Sequence, residues 1–190
     1  MTEIADGAFE SVQNLEGIGL QGAFALERIG ARAFADCTNL TQVYGSGSVT
    51  EIGDEAFADC TNLTQVYGSY SVTEIDDEAF FGCSKLECVM MNSSYEGGEA
   101  ECSITLPNTL NSLGARVFDG CDALQGGVYF PMYSETEEFF TADSFAGVSG
   151  ITGIEGSTYG EYGYVIPDNA FKDMTSLEYV SLKGVVSIGA

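Results

Sequence analysis

Residues 35–57 read ADCTNLTQVYGSGSVTEIGDEAF, and residues 58–80 read ADCTNLTQVYGSYSVTEIDDEAF. The two stretches agree at 21 of 23 positions, differing only at Gly47/Tyr70 and Gly53/Asp76. Self-similarity at a fixed period of this length points to a stacked-coil architecture. Worked outward, the frame is an apolar residue, Phe five positions later, then a small apolar residue, Leu and Val at intervals of three. It reads Ile29, Phe34, Cys37, Leu40, Val43; Ile52, Phe57, Cys60, Leu63, Val66; and Ile75, Phe80, Cys83, Leu86, Val89. An earlier copy is Ile4, Phe9, Val12, Leu15, Ile18. Diverged later copies are Leu113, Phe118, Cys121, Leu124, Val128; Phe140, Phe145, Val148, Ile151, Ile154; and Ile166, Phe171, Met174, Leu177, Val180. An eighth begins at Ile188.

This register predicts one β-rich solenoid over residues 1–190, with about seven complete coils and the start of an eighth. A single coil of ~23 residues cannot bury its Phe, Leu and Val alone, but stacking turns each column into a ladder. The Leu-x-x-Val-x-apolar stretch alternates like a strand, so stacked copies pair as a parallel sheet. The Asp-Glu-Ala-Phe-Ala-Asp-Cys stretch suits a single helical turn packing its Phe from the opposite side. Gly30, Gly53 and Gly114 after the apolar residue suit a corner with unusual backbone angles or a helix cap, a place that Asp76 takes in one copy.

The run VTEIGDEAFADCTNLTQV, with SITLPNTLNSLGARVF at 103–118 and YVSLKGVVSIGA at 179–190, resembles BspA-like (treponemal-type) leucine-rich repeats over essentially the whole chain. In that family Ile-Gly, Ala-Phe, Cys, Leu and a strand ending Ile-Pro recur in each coil. Here Tyr-Gly-Ser replaces the apolar-Pro strand end in two copies, which predicts shorter or more bent strands. The resemblance implies a right-handed superhelix, with short parallel strands on one face and short helical turns or loops on the other. It also implies an extracellular or cell-surface protein that adheres to host proteins or other cells.

Composition narrows function mainly by exclusion. Twenty-nine Asp and Glu against 6 Lys and Arg give 6 − 29 = −23, and there is no histidine or tryptophan. Such a charge repels phosphate backbones and anionic lipid, so nucleic acid is not an expected partner. No apolar run reaches the ~18–20 residues of a membrane span, so membrane insertion is not expected either. Without histidine there is no Ser–His or Cys–His nucleophile pair and no imidazole metal ligand. Every polar group is repeated or lies in a loop, so no unique carboxylate pair stands out for acid–base work. A non-catalytic scaffold without cofactor is the expectation. The start at Met1-Thr2-Glu3-Ile4 is acidic and shows no signal peptide, and both termini fall mid-coil; we read the chain as a segment of a longer protein.

Spacing between the phenylalanines runs 25, 23, 23, 38, 27 and 26. The 38 is one coil plus 15 residues, an insertion at about 90–102 that should project as a loop, either as a binding element or as an idle surface excursion. A second excursion, Gly156–Tyr164, carries three tyrosines among glycines. Cys37, Cys60, Cys83 and Cys121 share a column with Val12, Val148 and Met174, which marks them as buried small hydrophobes. Cys88 and Cys102 flank the insertion, and a bridge between them would clamp its base. Carboxylates repeat at Glu3, Glu51 and Glu74 and at Asp6, Asp54, Asp77, Asp143 and Asp168. Arg28 falls in the first of these columns, while Arg32 and Arg116 fall in a column with Glu55 and Glu78. A solvated acidic face accounts for them; no calcium-loop pattern supports weak calcium binding. Asn39, Asn62 and Asn92 stand in glycosylation sequons.

The outward positions of the strands carry the candidate site. With Val43, Val66, Val89, Val128 and Val180 inward, their neighbours point outward, Cys88 included. The partner-binding candidates are Gln42, Tyr44, Gln65, Tyr67, Met90, Tyr129 and Tyr179, with Tyr95 of the insertion forming one wall. Tyrosine joins a large apolar body to a polar tip and is enriched at interfaces. The competing reading is cross-strand aromatic pairing that stabilises the sheet. The expected partner is a protein with a basic face, bound by a monomer.

Overall fold

Backbone pairing follows the 23-residue frame along two sides of the molecule. The computed structural model describes residues 1–68, 71–91, 104–130, 139–157, 164–183 and 185–189. The chain is a parallel-strand β-solenoid. Its large sheet has eight strands: β2 (Gly17–Gly19), β4 (Gln42–Tyr44), β6 (Gln65–Tyr67), β8 (Cys88–Met90), β9 (Ile104–Thr105), β11 (Gly126–Tyr129), β12 (Ile151–Ser157) and β14 (Tyr179–Lys183), adjacent in that order. A smaller sheet joins β1 (Glu3–Ile4), β3 (Arg28–Ile29), β5 (Glu51–Ile52), β7 (Glu74–Ile75) and β10 (Ser112–Leu113). β13 (Tyr164–Ile166) pairs separately with β15 (Val185–Ile188). Every pair is parallel, as coils wound in one sense require.

The apolar columns fill the space between the sheets. Ile29, Ile52, Ile75, Leu40, Leu63, Leu86, Val43, Val66 and Val89 are all at most 3% exposed. The phenylalanine rings lie face to face along the axis. Centroids are 5.2 Å apart for Phe9–Phe34, 5.3 Å for Phe34–Phe57 and Phe57–Phe80, 5.8 Å for Phe80–Phe118 and 6.4 Å for Phe118–Phe145. Identical residues in register thus place rings at offset-stacking separation in coil after coil. In the last coil Val180 is 51% exposed, contrary to its inward assignment, because β14 ends the sheet and no further strand covers it.

On the phenylalanine side the expected helical turns are absent, and no helix occurs among the described residues. Between Gly30 and Cys37 the N–H groups of Ala33, Ala35 and Cys37 donate to the carbonyls three residues back. Those of Arg32, Phe34 and Asp36 instead donate to Asp54, Ala56 and Ala58 of the next coil, each at 2.8 Å. Arg32 (φ 53°) and Asp36 (φ 58°) are left-handed, which turns alternate N–H groups away from any helix axis. Each coil crosses this side as linked tight turns, hydrogen-bonded to the next coil. Gly53 and Gly114 are needed for another reason than the one the sequence suggested. Neither has a positive φ; a Cβ on Gly53 would lie 2.8 Å from Ala31 N, and one on Gly114 2.5 Å from Asp76 C.

The insertion alters the two sides unequally. β7 pairs directly with β10, whereas β9 separates β8 from β11. Residues after Met91 therefore contribute an additional rung to the large sheet, with Ile104 fully buried in the valine column. Residues 92–103, which include Tyr95, Cys102 and Asn92, lie outside the described residues, as does most of the excursion at 156–164.

Candidate partner-binding face

Three-residue strands centred on an inward valine leave two outward columns on the large sheet. One runs Gly17, Gln42, Gln65, Cys88, Gly127, Gly153, Tyr179, and the other Gly19, Tyr44, Tyr67, Met90, Thr105, Tyr129, Glu155, Ser181. The face does bring Tyr44, Tyr67, Met90 and Tyr129 into one column. Tyr179 belongs to the other and is not part of that stripe. Cys88 is 2% exposed and Thr105 1%, so these two outward positions are covered and offer nothing to a partner.

Tyr44 and Tyr67 stack at 5.9 Å with an interplanar angle of 18°. The Tyr44 hydroxyl donates to Gln42 Oε1 at 3.1 Å, and Gln42 Nε2 donates to Gln65 Oε1 at 3.3 Å. Rings and amides are thus held in place by neighbouring rungs. Further along, the Tyr129 ring lies over Gly127, where a Cβ would meet it at 2.9 Å. Tyr179 lies over Gly153, and its hydroxyl donates to Glu155 at 3.0 Å. Glycine at 127 and 153 is what lets each ring lie down on the sheet.

From β2 to β11 no described outward residue carries a charge; Glu155 on β12 is the first. This is unusual in a chain of net charge −23. Several carboxylates elsewhere on the coils are used between neighbouring coils. Asp6 Oδ1 accepts from Ala31 N at 2.9 Å, Asp54 Oδ1 from Asp77 N at 3.2 Å and Asp77 Oδ1 from Ala115 N at 2.7 Å. The arginines bridge neighbouring rungs as their columns predicted: Arg28 to Glu51 (2.7 Å) and Asp6 (3.0 Å), Arg32 to Glu10 and Glu55, and Arg116 to Glu78 (2.9 Å); Arg116 also pairs with Asp119 of its own coil (2.8 Å).

The cysteine column is buried, and it does more than fill space. The thiols of Cys37, Cys60, Cys83 and Cys121 donate to the carbonyls of Phe9, Phe34, Phe57 and Phe80 in the preceding coil, at 3.1–3.2 Å. Burial pushes the Cys60 and Cys121 thiols up to about 12, and Cys83 well above its ordinary value. Such thiols are poor nucleophiles. The sequon nitrogens of Asn39 and Asn62 likewise serve the stack, donating to the Gln13 and Thr38 carbonyls. Sequence reasoning missed both ladders, although a polar hydrogen at the same position of successive central coils was their available signal. Among the described residues no group of three or more His, Cys, Asp or Glu is placed to hold a metal ion, and no helix is long and apolar enough to cross a membrane.

A recess of about 290 Å³ opens beside the tyrosine pair, lined by Gln21, Tyr44, Gly45, Gly47, Tyr67 and Gly68. A larger apolar one, about 530 Å³, is the underside of the first coil, lined by residues including Ile4, Phe9, Leu15 and Ile18.

Comparison with solved structures places the fold. The chain superimposes on a T. pallidum leucine-rich repeat protein with a TM-score of 0.68 at 21% identity, covering 92% of this chain and 78% of that one. A Bacteroides ovatus leucine-rich repeat protein matches at 20% identity and TM-score 0.43, over all of this chain and 54% of its own. A leucine-rich cell surface protein of Faecalibacterium prausnitzii matches at 19% identity and TM-score 0.34, over 95% and 76%. No curated protein matches the sequence. The family model for the BspA type leucine rich repeat region matches residues 1–102 and 100–190 in six copies, and the chain belongs to that family.

Proposed function

We propose that the chain is a non-catalytic binding scaffold, a cell-surface adhesion or protein-interaction module of a larger protein, and that it docks partners on the large sheet. The observation that carries this reading is the uncharged outward face from β2 to β11, with its fixed tyrosine and glutamine rungs, on an otherwise strongly acidic chain. Interface cores are depleted of charge and enriched in Tyr and Met, whereas rims stay polar. Repeat families of this type generally act as protein-interaction scaffolds. The surface location and the adhesive role follow from the family resemblance. Partners with a basic rim are favoured by the surrounding carboxylates, and their association should weaken with added salt.

The stacking of Tyr44 on Tyr67 also favours a second reading, in which the rings stabilise the sheet and the chain is a spacer presenting another domain. Immobilised extracellular-matrix proteins, probed with wild type and with the Tyr44→Ala/Tyr67→Ala double variant, separate the two. A docking face loses at least about tenfold in affinity, the scale of one or two central interface side chains. Unchanged affinity with a lowered melting temperature assigns the rings to the sheet alone.

A further inference from the structure

Tyr44 has a ring partner on one side only. Towards β6 it stacks on Tyr67, but towards β2 its register partner is Gly19, with Gly17 opposite Gln42, and neither glycine has a side chain. Tyr44 is 39% exposed, and the space above Gly17 is open: a Cβ there would find only Gln42 O, at 3.9 Å. The Gln21 side chain reaches over Gly19, with its Oε1 3.0 Å from where a Cβ would lie. The result is a seat one rung wide with an aromatic wall, a bare backbone floor and an amide oxygen at one end.

We propose that this seat holds an arginine side chain of a basic partner, its guanidinium stacked on the open face of Tyr44 and donating to Gln21 Oε1. The proposal rests on the reading of the large sheet as a docking face and names what that face recognises. Three observations point to a planar cation. A tyrosine face attracts one through its quadrupole, and a guanidinium adds stacking to that attraction where an ammonium does not. The net charge of −23 draws basic segments towards the surface. The molecule also contains a guanidinium–ring contact of its own, with the Arg116 guanidinium, ion-paired to Glu78 and Asp119, 5.0 Å from the centre of the Phe81 ring.

The probe is the peptide acetyl-(Gly-Arg)3-amide, titrated by NMR against its lysine and citrulline counterparts. The arginine peptide should bind about fivefold more tightly than the lysine peptide, the scale of an exposed cation–π contact, and the uncharged citrulline peptide more weakly than either. Tyr44→Leu removes the quadrupole and Gly17→Val fills the seat. Each should bring the arginine-to-lysine ratio to about one, with arginine-peptide affinity falling more than lysine-peptide affinity. Equal affinities in the wild type, a ratio untouched by both variants, or no binding of the arginine peptide overturns the proposal. A matrix protein that loses affinity on the Tyr44/Tyr67 double substitution while the ratio stays at one removes the seat and leaves the docking face. A ratio that collapses in Tyr44→Leu while the double substitution leaves matrix affinity intact does the reverse.

Discussion

Asp76 stands where Gly30, Gly53 and Gly114 stand in other coils, and the two near-identical copies differ at that corner. It is partly buried, with Glu74, Asp54, Glu51 and Asp77 around it. Burial first, and then these like charges, push its carboxyl up to about 6. An unfolded aspartate titrates near 3.9. The folded state therefore holds the proton more tightly between about pH 4 and pH 6, and stability falls as pH rises through that window. Above it Asp76 is charged in both states, and its full penalty remains. Asp76→Asn keeps the shape and removes the charge. Urea titrations should show the variant more stable by about 1 kcal/mol at pH 7.5, after discounting for solvent screening at a partly exposed site, and indistinguishable from wild type near pH 4. A variant no more stable than wild type at pH 7.5 would mean that the charge is already well solvated.

At the scale of elements, the glycines divide by what lies against them. Gly114 faces the backbone of the preceding coil, with Asp76 C and Asp77 N each 2.5 Å from its ideal Cβ. Gly47 has nothing within 4 Å and no positive φ, and its counterpart in the next copy is a tyrosine. Alanine at 114 must separate β10 from β7, and we expect it to lower stability by about 2 kcal/mol, in the range for local overpacking. Alanine at 47 should be neutral within about 0.5 kcal/mol, as surface changes usually are. Urea midpoints of the two variants test this directly, and equal midpoints would show that the corner yields without cost. The inward columns, the large parallel sheet and the arginine–glutamate rungs were legible in the sequence, because a 23-residue period places like residues on like positions. The small sheet was not: Glu-Ile dipeptides such as Glu51–Ile52 are too short to alternate visibly, and only stacking supplies their partners. The tight turns were also hidden, since left-handed Arg32 and Glu55 carry none of the usual markers of positive φ. On the candidate face, Tyr44, Tyr67 and Met90 could be placed from parity alone. The burial of Cys88 could not, nor could the laid-down ring of Tyr179, which depends on Gly153 of the neighbouring strand.

Across the described residues, the repeating ladders join one coil to the next. The thiol, asparagine and phenylalanine ladders, the aspartate-to-amide bonds and both sheets all repeat at the coil spacing. Stability in such a stack approximates a sum of coil terms and nearest-neighbour terms. The two near-identical copies make this directly measurable, because removing residues 58–80 rejoins Phe57 to Phe81 in the same phase of the repeat. Phe34 would then stack on Phe57 and Phe57 on Phe118, leaving the spacing of the columns unchanged. Tyr44 would meet Met90 in place of Tyr67. Because the coil brought to the new junction matches the one removed at 21 of 23 positions, the shortened chain should fold cooperatively. Its urea m-value should fall by about a tenth, in proportion to the surface lost. Its stability should fall by one coil-plus-interface increment and no more. A shortened chain that fails to fold, or unfolds in two steps, would show that coupling in this solenoid extends beyond adjacent coils and that the extra rung at β9 depends on the intact stack before it.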